Sequence, residues 1–479
     1  MNKVFCFSGL LAASLLLAAC PRHAEVRPSG QPAAAPCPAE APAPPVLPYE
    51  APEHSLSEFW LTRSGQSGQL TVPWKRIEEH NARMNGLRAQ GWPAGRWQLQ
   101  TLPLESSRVR ERLRARLEHF RQGVQRGERV LADGGKPLAV LDELGSELGG
   151  LQPADEIRVA HHSTALRCLP TAAAVYEKAW DLAFDVMQCA QVRYGEPVRV
   201  AGKGRRFFYV WSTFSDGWVR PEDLSAPLSA AEARDYLHPA RFVIVQQDRL
   251  PIWADAERRA LLGAASFATK LPLIGGGAAL QVRAPSPAGL VTGWILPKSE
   301  EAPAEESSGP DRVAQSVSIG YPRLTRAALL DRAFRLLHTP YGWGGSGDKR
   351  DCSGLMMDLF AAFGLEIPRN TIHQALAGSR QVEVAQFSEE AKAQSIEAEA
   401  RRGLVLLYMP GHIMLYLGRD GGQLYAYHLF SGYLTPCQPR GETMQRVNRT
   451  VVTSLELGRG GSRRAFIQRI TRLIVFDGS

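Results

Sequence analysis

The sequence predicts an α+β chain built from several units, and three patterns carry that expectation. In SSRVRERLRARLEHFRQGV, residues Val109, Leu113, Leu117, Phe120 and Val124 recur at spacings of 4, 4, 3 and 4, one apolar face of a helix. Between 155 and 298, short β-like runs alternate with turns such as Gly195-Glu196-Pro197, Gly202-Lys203-Gly204 and Ser215-Asp216-Gly217. From 325 onward a helical period, a glycine-rich loop, a second helical period and three strand-like runs follow one another. A length of 479 residues asks for three or four domains of ordinary size. Hydrophobic residues at 44% and charged residues at 22% are globular proportions and exclude wholesale disorder.

The net charge of +8 raises nucleic acid as a partner. The surplus is diffuse, however. Basic residues come as pairs (Arg205-Arg206, Arg401-Arg402, Arg463-Arg464), with no nucleic-acid-binding signature around them. Nucleic acid is therefore set aside, and the arginines of the 106–124 helix read as its wet face.

At the N-terminus, Lys3 precedes an apolar stretch from Val4 to Leu17, closed by Leu17-Ala18-Ala19-Cys20. The stretch is too short for a comfortable membrane span and reads as a secretory signal, residues 1–20. Its L-A-A-C end resembles a bacterial lipobox. That resemblance implies lipidation of Cys20 and a membrane anchor, with Pro21 pointing to the outer membrane of a Gram-negative cell and a periplasmic location. Residues 21–52, rich in Pro and Ala, read as an extended spacer.

Residues 53–154 form the expected helical segment. Two β-rich units, 155–228 and 240–298, each end in a Gly-Trp-hydrophobic run around Trp218 and Trp294. They resemble the small SH3-like barrels of secreted bacterial wall enzymes, and the two tryptophans occupy equivalent places. An acidic linker, 299–315, precedes the last domain, 318–479.

In that domain a helix ends near His338, the loop TPYGWGGSG follows, and Cys352 opens a second helix with Leu355, Met356, Leu359 and Phe363 on one face. A cysteine at a helix N-terminus feels the positive end of the dipole, which favours its thiolate. Strands are expected at 404–409, 412–418 and 423–429. An antiparallel turn at 419–422 would bring His412 near His428. A relay follows: Cys352 as nucleophile, His412 as base, His428 orienting it. The charged stretch 379–402 is expected as a loop or helix near the cleft rim, and the tail as a closing strand.

The blocks Y-G-W-G-G, D-C-S-G, I-P-R-N, G-H-I-M-L-Y-L-G and a strand ending in Y-H resemble, in order and spacing, the NlpC/p60 family of bacterial cell-wall cysteine peptidases. The resemblance implies a papain-like α+β fold and cleavage of peptidoglycan stem peptides between γ-D-glutamate and a diamino acid, commonly meso-diaminopimelate. It assigns catalysis to Cys352, His412 and His428. It also implies that Asp351 and Ser353 help hold the free amine of an N-terminal L-alanine, and that Tyr341 hydrogen-bonds substrate or intermediate. Relatives with SH3-like domains use the first of them to wall off one end of the cleft, so freed peptides are the expected substrate. No cofactor or metal is required, and a monomer is expected. The alternatives are a non-catalytic wall-binding protein and an acyltransferase on the same scaffold. Among the cysteines, Cys168 and Cys189 are the best local candidates for a bridge, although separate buried thiols are favoured; Cys37 and Cys437 are not expected to pair.

Overall fold

The computed structural model describes residues 37–63, 70–89, 99, 106–177, 181–277, 279–296, 316–437 and 441–478. The signal-like segment, Cys20 and the acidic linker lie outside the described residues.

From Cys37 onward the expected spacer is part of the folded body. Strand β1 (Glu40–Pro42) pairs in parallel with the strand at 442–454. Leu47 is buried, and Cys37 is bridged to Cys437. Pairing at a sheet edge uses backbone groups alone, so Pro- and Ala-rich composition did not reveal it. Strand β2 (Thr71–Val72) leads into a helix, Trp74–Ala89, whose Asn81 and His80 bond the backbone carbonyls of Gly364 and Glu366.

The helix Ser106–Gln125 forms as its period requires. Phe120 and Val124 pack with Leu144 of the next helix, Leu138–Gly149, and Leu113 packs with Phe207, Tyr209 and Trp218. The side chain of Val109 is outside the described residues.

The first β unit holds β3 (Gln152–Val159), β4 (Thr164–Arg167), β5 (Gln188–Val192), β6 (Pro197–Lys203), β7 (Phe208–Ser212) and β8 (Asp216–Val219), in the order β3-β6-β7-β8-β4-β5. Cys168 and Cys189 are bridged there. The second unit holds β9 (Phe242–Val245), β10 (Leu250–Trp253), β11 (Leu261–Ala265), β12 (Lys270–Gly275), β13 (Leu280–Ser286), β14 (Gly289–Ile295) and β15 (Val317–Ile319). Its order is β11-β10-β14-β13-β12-β9-β15, so the chain returns after the linker to finish the same sheet. Among the described residues no ladder closes either sheet into a barrel. The two tryptophans differ: Trp218 is fully buried, whereas Trp294 is half-buried opposite Trp253.

Strand β16 (Leu324–Thr325) pairs with β2 and leads into the helix Arg326–Arg335. The last domain is a sheet of β17 (Arg380–Glu383), β18 (Gly403–Met409), β19 (His412–Asp420), β20 (Gln423–Pro436), β21 (Glu442–Ser454) and β22 (Arg472–Asp477), completed by β1 in the order β1-β21-β20-β19-β18-β22-β17. Strand pleat sorts its residues. Leu404, Leu406, Ile413 and Leu415 meet the buried helix Cys352–Ala361, while Val405, Leu407, Met414 and Tyr416 share the opposite core with Ile396 and Ala400 of the helix Glu389–Ala400. That second helix is the one expected within 379–402, and only its expected place at the cleft rim is corrected. The segment covers the far face of the sheet and does not line the cleft described below, because Ile396 and Ala400 need apolar cover that a rim position would not provide.

One apolar cluster runs from Val198 and Val210 of the first β unit through Ile244 and Phe267 of the second to Leu355 and Phe360 of the helix that Cys352 opens. A buried charge network doubles it. Arg350 bonds Asp358 at 2.6 Å and Asp248 of the second unit at 2.6 and 2.7 Å, and Arg193 of the first unit also bonds Asp358. Both β units are thus tied to the residue two before Cys352.

Candidate active site

The loop before Cys352 is shaped by close approach. Gly344 and Gly345 have φ of 58° and 83°, and a Cβ on Gly344 would sit 2.7 Å from Gln188 of β5. Only glycine allows both the left-handed backbone and the contact. Gln188 also donates to the Gly344 carbonyl at 3.3 Å.

Asp351 caps the helix that Cys352 begins, accepting from the Gly354 N–H at 2.7 Å. Arg369 grips the same carboxylate with both terminal nitrogens, at 2.9 and 2.7 Å. The Gly344 N–H (3.1 Å) and the Ser353 hydroxyl (3.2 Å) fill the remaining positions. Burial opposes the charge on Asp351, but Arg369 and these donors outweigh it, and the carboxyl stays below its usual range. Here the expected roles change. Asp351 and Ser353 are already bonded to Arg369 and to each other, so neither offers a free face to a substrate ammonium.

His412, the first residue of β19, and His428 of β20 are joined by an Nε2···Nδ1 hydrogen bond of 2.7 Å. His428 Nε2 reaches the Thr453 hydroxyl at 2.9 Å. In the neutral pair the chain of donors has a consistent direction: His412 Nε2–H donates to His428 Nδ1, and His428 Nε2–H donates to Thr453. His412 Nδ1 is then the nitrogen that can accept a proton. Phe430 stacks on His428 at 4.6 Å between centroids and Phe466 on His412 at 5.9 Å, keeping water from both rings. Burial, then the Arg469 charge, lowers His412 to about 3; burial also drives His428 well down.

Cys352 is the free cysteine among the described residues. Its Sγ receives the backbone N–H groups of Ser353 and Ile413, the latter next to His412. The expected preformed thiolate is not favoured, however. Burial first, and Asp351 second, push the thiol up to about 12, outweighing those N–H groups and Arg369. Burial thus favours the neutral form of both the thiol and the imidazole that line the cleft.

Cys352, His412, Asp351 and Arg369 line a cleft of about 740 Å³, with His428 buried behind His412. Tyr341 lines the cleft beside Cys352 and Asp351; burial first, with the Asp351 charge adding to it, raises its hydroxyl far above the usual value, so the O–H remains a donor. The exposed Trp343 stands edge-on to Phe184 at 5.1 Å on the rim. The first β unit supplies a wall through Gln188, Phe214 and Asp216. Asp216 is buried and paired with Arg116 at 2.9 Å, Arg112 at 3.3 Å and the Tyr209 hydroxyl at 2.6 Å. The face of the 106–125 helix read as wet thus reaches the cleft. Arg463 and Arg469 line it from the segment before β22.

Sequence reasoning missed Arg369, Thr453, Arg112, Arg116, Arg463 and Arg469. Arg369 sits in the I-P-R-N block, and its place beside a quoted motif was the available signal. Thr453 and the cleft arginines carry no local pattern.

Fold and site together define a protein with a thiol–imidazole centre between a nucleophile helix and an antiparallel sheet. Residues 338–434 match the NlpC/P60 family model and form an NlpC/P60 domain. A protein of Corynebacterium glutamicum (strain R) named "Probable endopeptidase" is 33% identical over 88 residues, 18% of this chain. The match spans 42% of that relative's length. A novel NlpC/P60 endopeptidase from Photobacterium damselae subsp. piscicida has a similar fold at TM-score 0.60 and 14% identity, over 77% of this chain and 85% of that one. An NlpC/P60 family protein from Bacillus cereus ATCC 10987 aligns at TM-score 0.45 and 16% identity, over 67% of this chain and 99% of that one.

Proposed function

We propose that this chain is a cysteine endopeptidase acting on peptidoglycan stem peptides at the γ-D-glutamyl–meso-diaminopimelate bond. The observation that carries the proposal is the hydrogen-bonded chain His412–His428–Thr453, which reaches through His412 the cleft that holds the one free cysteine among the described residues. The γ-glutamyl bond rests on the likeness to the family.

In the proposed reaction the Cys352 Sγ attacks the scissile carbonyl carbon as its proton passes to His412 Nδ1. A neutral thiol and a neutral imidazole suit this coupled transfer. The Cys352 N–H, first in its helix and so without an intrahelical acceptor, and the Tyr341 O–H are the donors for the oxyanion. Collapse breaks the C–N bond, the proton on His412 goes to the leaving amine, and water then hydrolyses the thioester with His412 as base. His428 holds His412 in the tautomer that leaves Nδ1 open.

The free N-terminal L-alanine expected of the substrate loses its anchor on Asp351, so the proposal retains the bond and drops that requirement. We also propose export and lipidation at Cys20, which rest on the L-A-A-C pattern, and that the β-rich units are SH3-like wall-enzyme modules, the first of which shapes one end of the cleft.

Wild type and Cys352→Ala incubated with defined stem peptides, with products read by mass spectrometry, test the reading. Release of the diaminopimelate-side fragment by wild type alone supports it. Binding without cleavage favours a wall-binding protein, and acyl groups moved to an added amine favour a transferase.

A further inference from the structure

The acids and bases of the cleft do not balance. Both carboxylates on its walls are already satisfied, Asp351 by Arg369 and Asp216 by Arg112 and Arg116. Two further arginines, Arg463 and Arg469, line the same cleft; Glu442 is near enough to feel the charge of Arg463, whereas the charges that act on Arg469 are those of Arg463 and Arg464. Arg463 is exposed. Arg469 is the informative one. It is only partly exposed, its guanidinium lies 5.8 Å from the Phe466 ring centroid, and Phe466 in turn stacks on His412. Burial and the nearby Arg463 and Arg464 lower its affinity for its own proton, as expected of a cation whose neighbours are cations. A half-desolvated guanidinium without a counter-charge is costly unless a bound anion completes it. Both arginines lie beyond residues 338–434 that match the family model.

We propose that Arg469, assisted by Arg463, forms a carboxylate subsite beside His412, which makes an acidic peptide with a free carboxylate next to the scissile bond the preferred substrate. A planar guanidinium binds a carboxylate through paired charge-assisted hydrogen bonds, which a carboxamide cannot reproduce. Peptides amidated at that position are then poor substrates. The proposal rests on the peptidase reading, and its position near Phe466 assigns the contact to substrate positioning.

The test compares two synthetic stem peptides that differ only in a free carboxylate or a primary carboxamide on the glutamyl residue. Wild type is expected to favour the acid by about tenfold or more in kcat/KM. Arg469→Met should bring the two peptides to near equality by lowering the acid's rate far more than the carboxamide's, and Arg469→Lys should keep most of the preference. Equal rates in wild type, or an equal loss on both peptides in Arg469→Met, overturns the subsite. Calorimetric binding of both peptides to Cys352→Ala separates the two readings. Tighter binding of the acid with no turnover by wild type keeps the subsite and removes the peptidase; equal binding removes the subsite whatever the turnover.

Discussion

Two regions meet at this cleft and are built on different principles. On one side, Cys352, His412 and His428 come from one helix and one strand pair within about 80 residues of chain. On the other, the wall is assembled from the 106–125 helix, β5, β8 and the segment before β22. The first region is short-range, nearly dry and made of neutral groups. The second is long-range, wetter and made of arginines paired to carboxylates or left for a ligand. The contrast teaches that the reaction is encoded locally, whereas the choice of substrate is spread along the chain.

The largest expected effect tests the local region. His428→Leu leaves a similar volume against Phe430 but removes the acceptor of the His412 Nε2–H. The imidazole can then turn or take the wrong tautomer, and kcat should fall roughly 10² to 10⁴-fold with KM little changed. A loss confined to KM would place His428 on the substrate side and break the division drawn above. Next comes the junction of the two regions. Arg369→Ala leaves the buried Asp351 charge without its bidentate partner, which should destabilise the fold by about 3–5 kcal/mol. Urea unfolding checks it. A change of less than about 1 kcal/mol would mean that Gly344, Gly354 and Ser353 alone hold the carboxylate.

Why one region was legible and the other was not follows from the same difference. The helix that Cys352 opens and the three strands carrying both histidines have clear periods and sharp turns at 342–347, 410–411 and 421–422, so their mutual position follows from local rules. Asp351 was found and its partner was not, because Arg369 reaches it from a loop with no period. Arg112 and Arg116 have helical spacing, but a polar helix face reads alike whether it meets water or Asp216. The Cys37–Cys437 bridge joins residues 400 apart, and β1 adds to the sheet by backbone pairing alone. Strand β20 runs past the expected 429 to Pro436 because β21 pairs with it throughout, which no local pattern announces.

Acid should separate the regions with a smaller effect. His412 titrates at about 3 in the folded chain, lowered by burial and then by Arg469, against an unfolded value of about 6.5. Below pH 6.5 the unfolded chain therefore binds a proton that the native chain refuses, so stability is fully present above that pH and is lost as pH falls toward 3. The loss is about 1.4 kcal/mol per pH unit for one such histidine. His428, lowered in the same direction, adds to it. Asp351 does not confound this window. Its carboxyl is depressed, so its contribution is lost only as pH falls below the ordinary carboxylate range. The arginine wall keeps its charge throughout. Urea midpoints at pH 7 and pH 5 should thus drop in wild type and drop less in His412→Gln, by roughly 2 kcal/mol over that interval. Arg469→Met, by removing a repulsive charge beside His412, should raise the folded-state value of His412, so that the acid loss still begins near pH 6.5 but stops at a higher pH and is smaller in total. Identical slopes in wild type and His412→Gln would show that the imidazole is not held neutral by burial, and the coupled proton transfer proposed for the thiol would lose its basis.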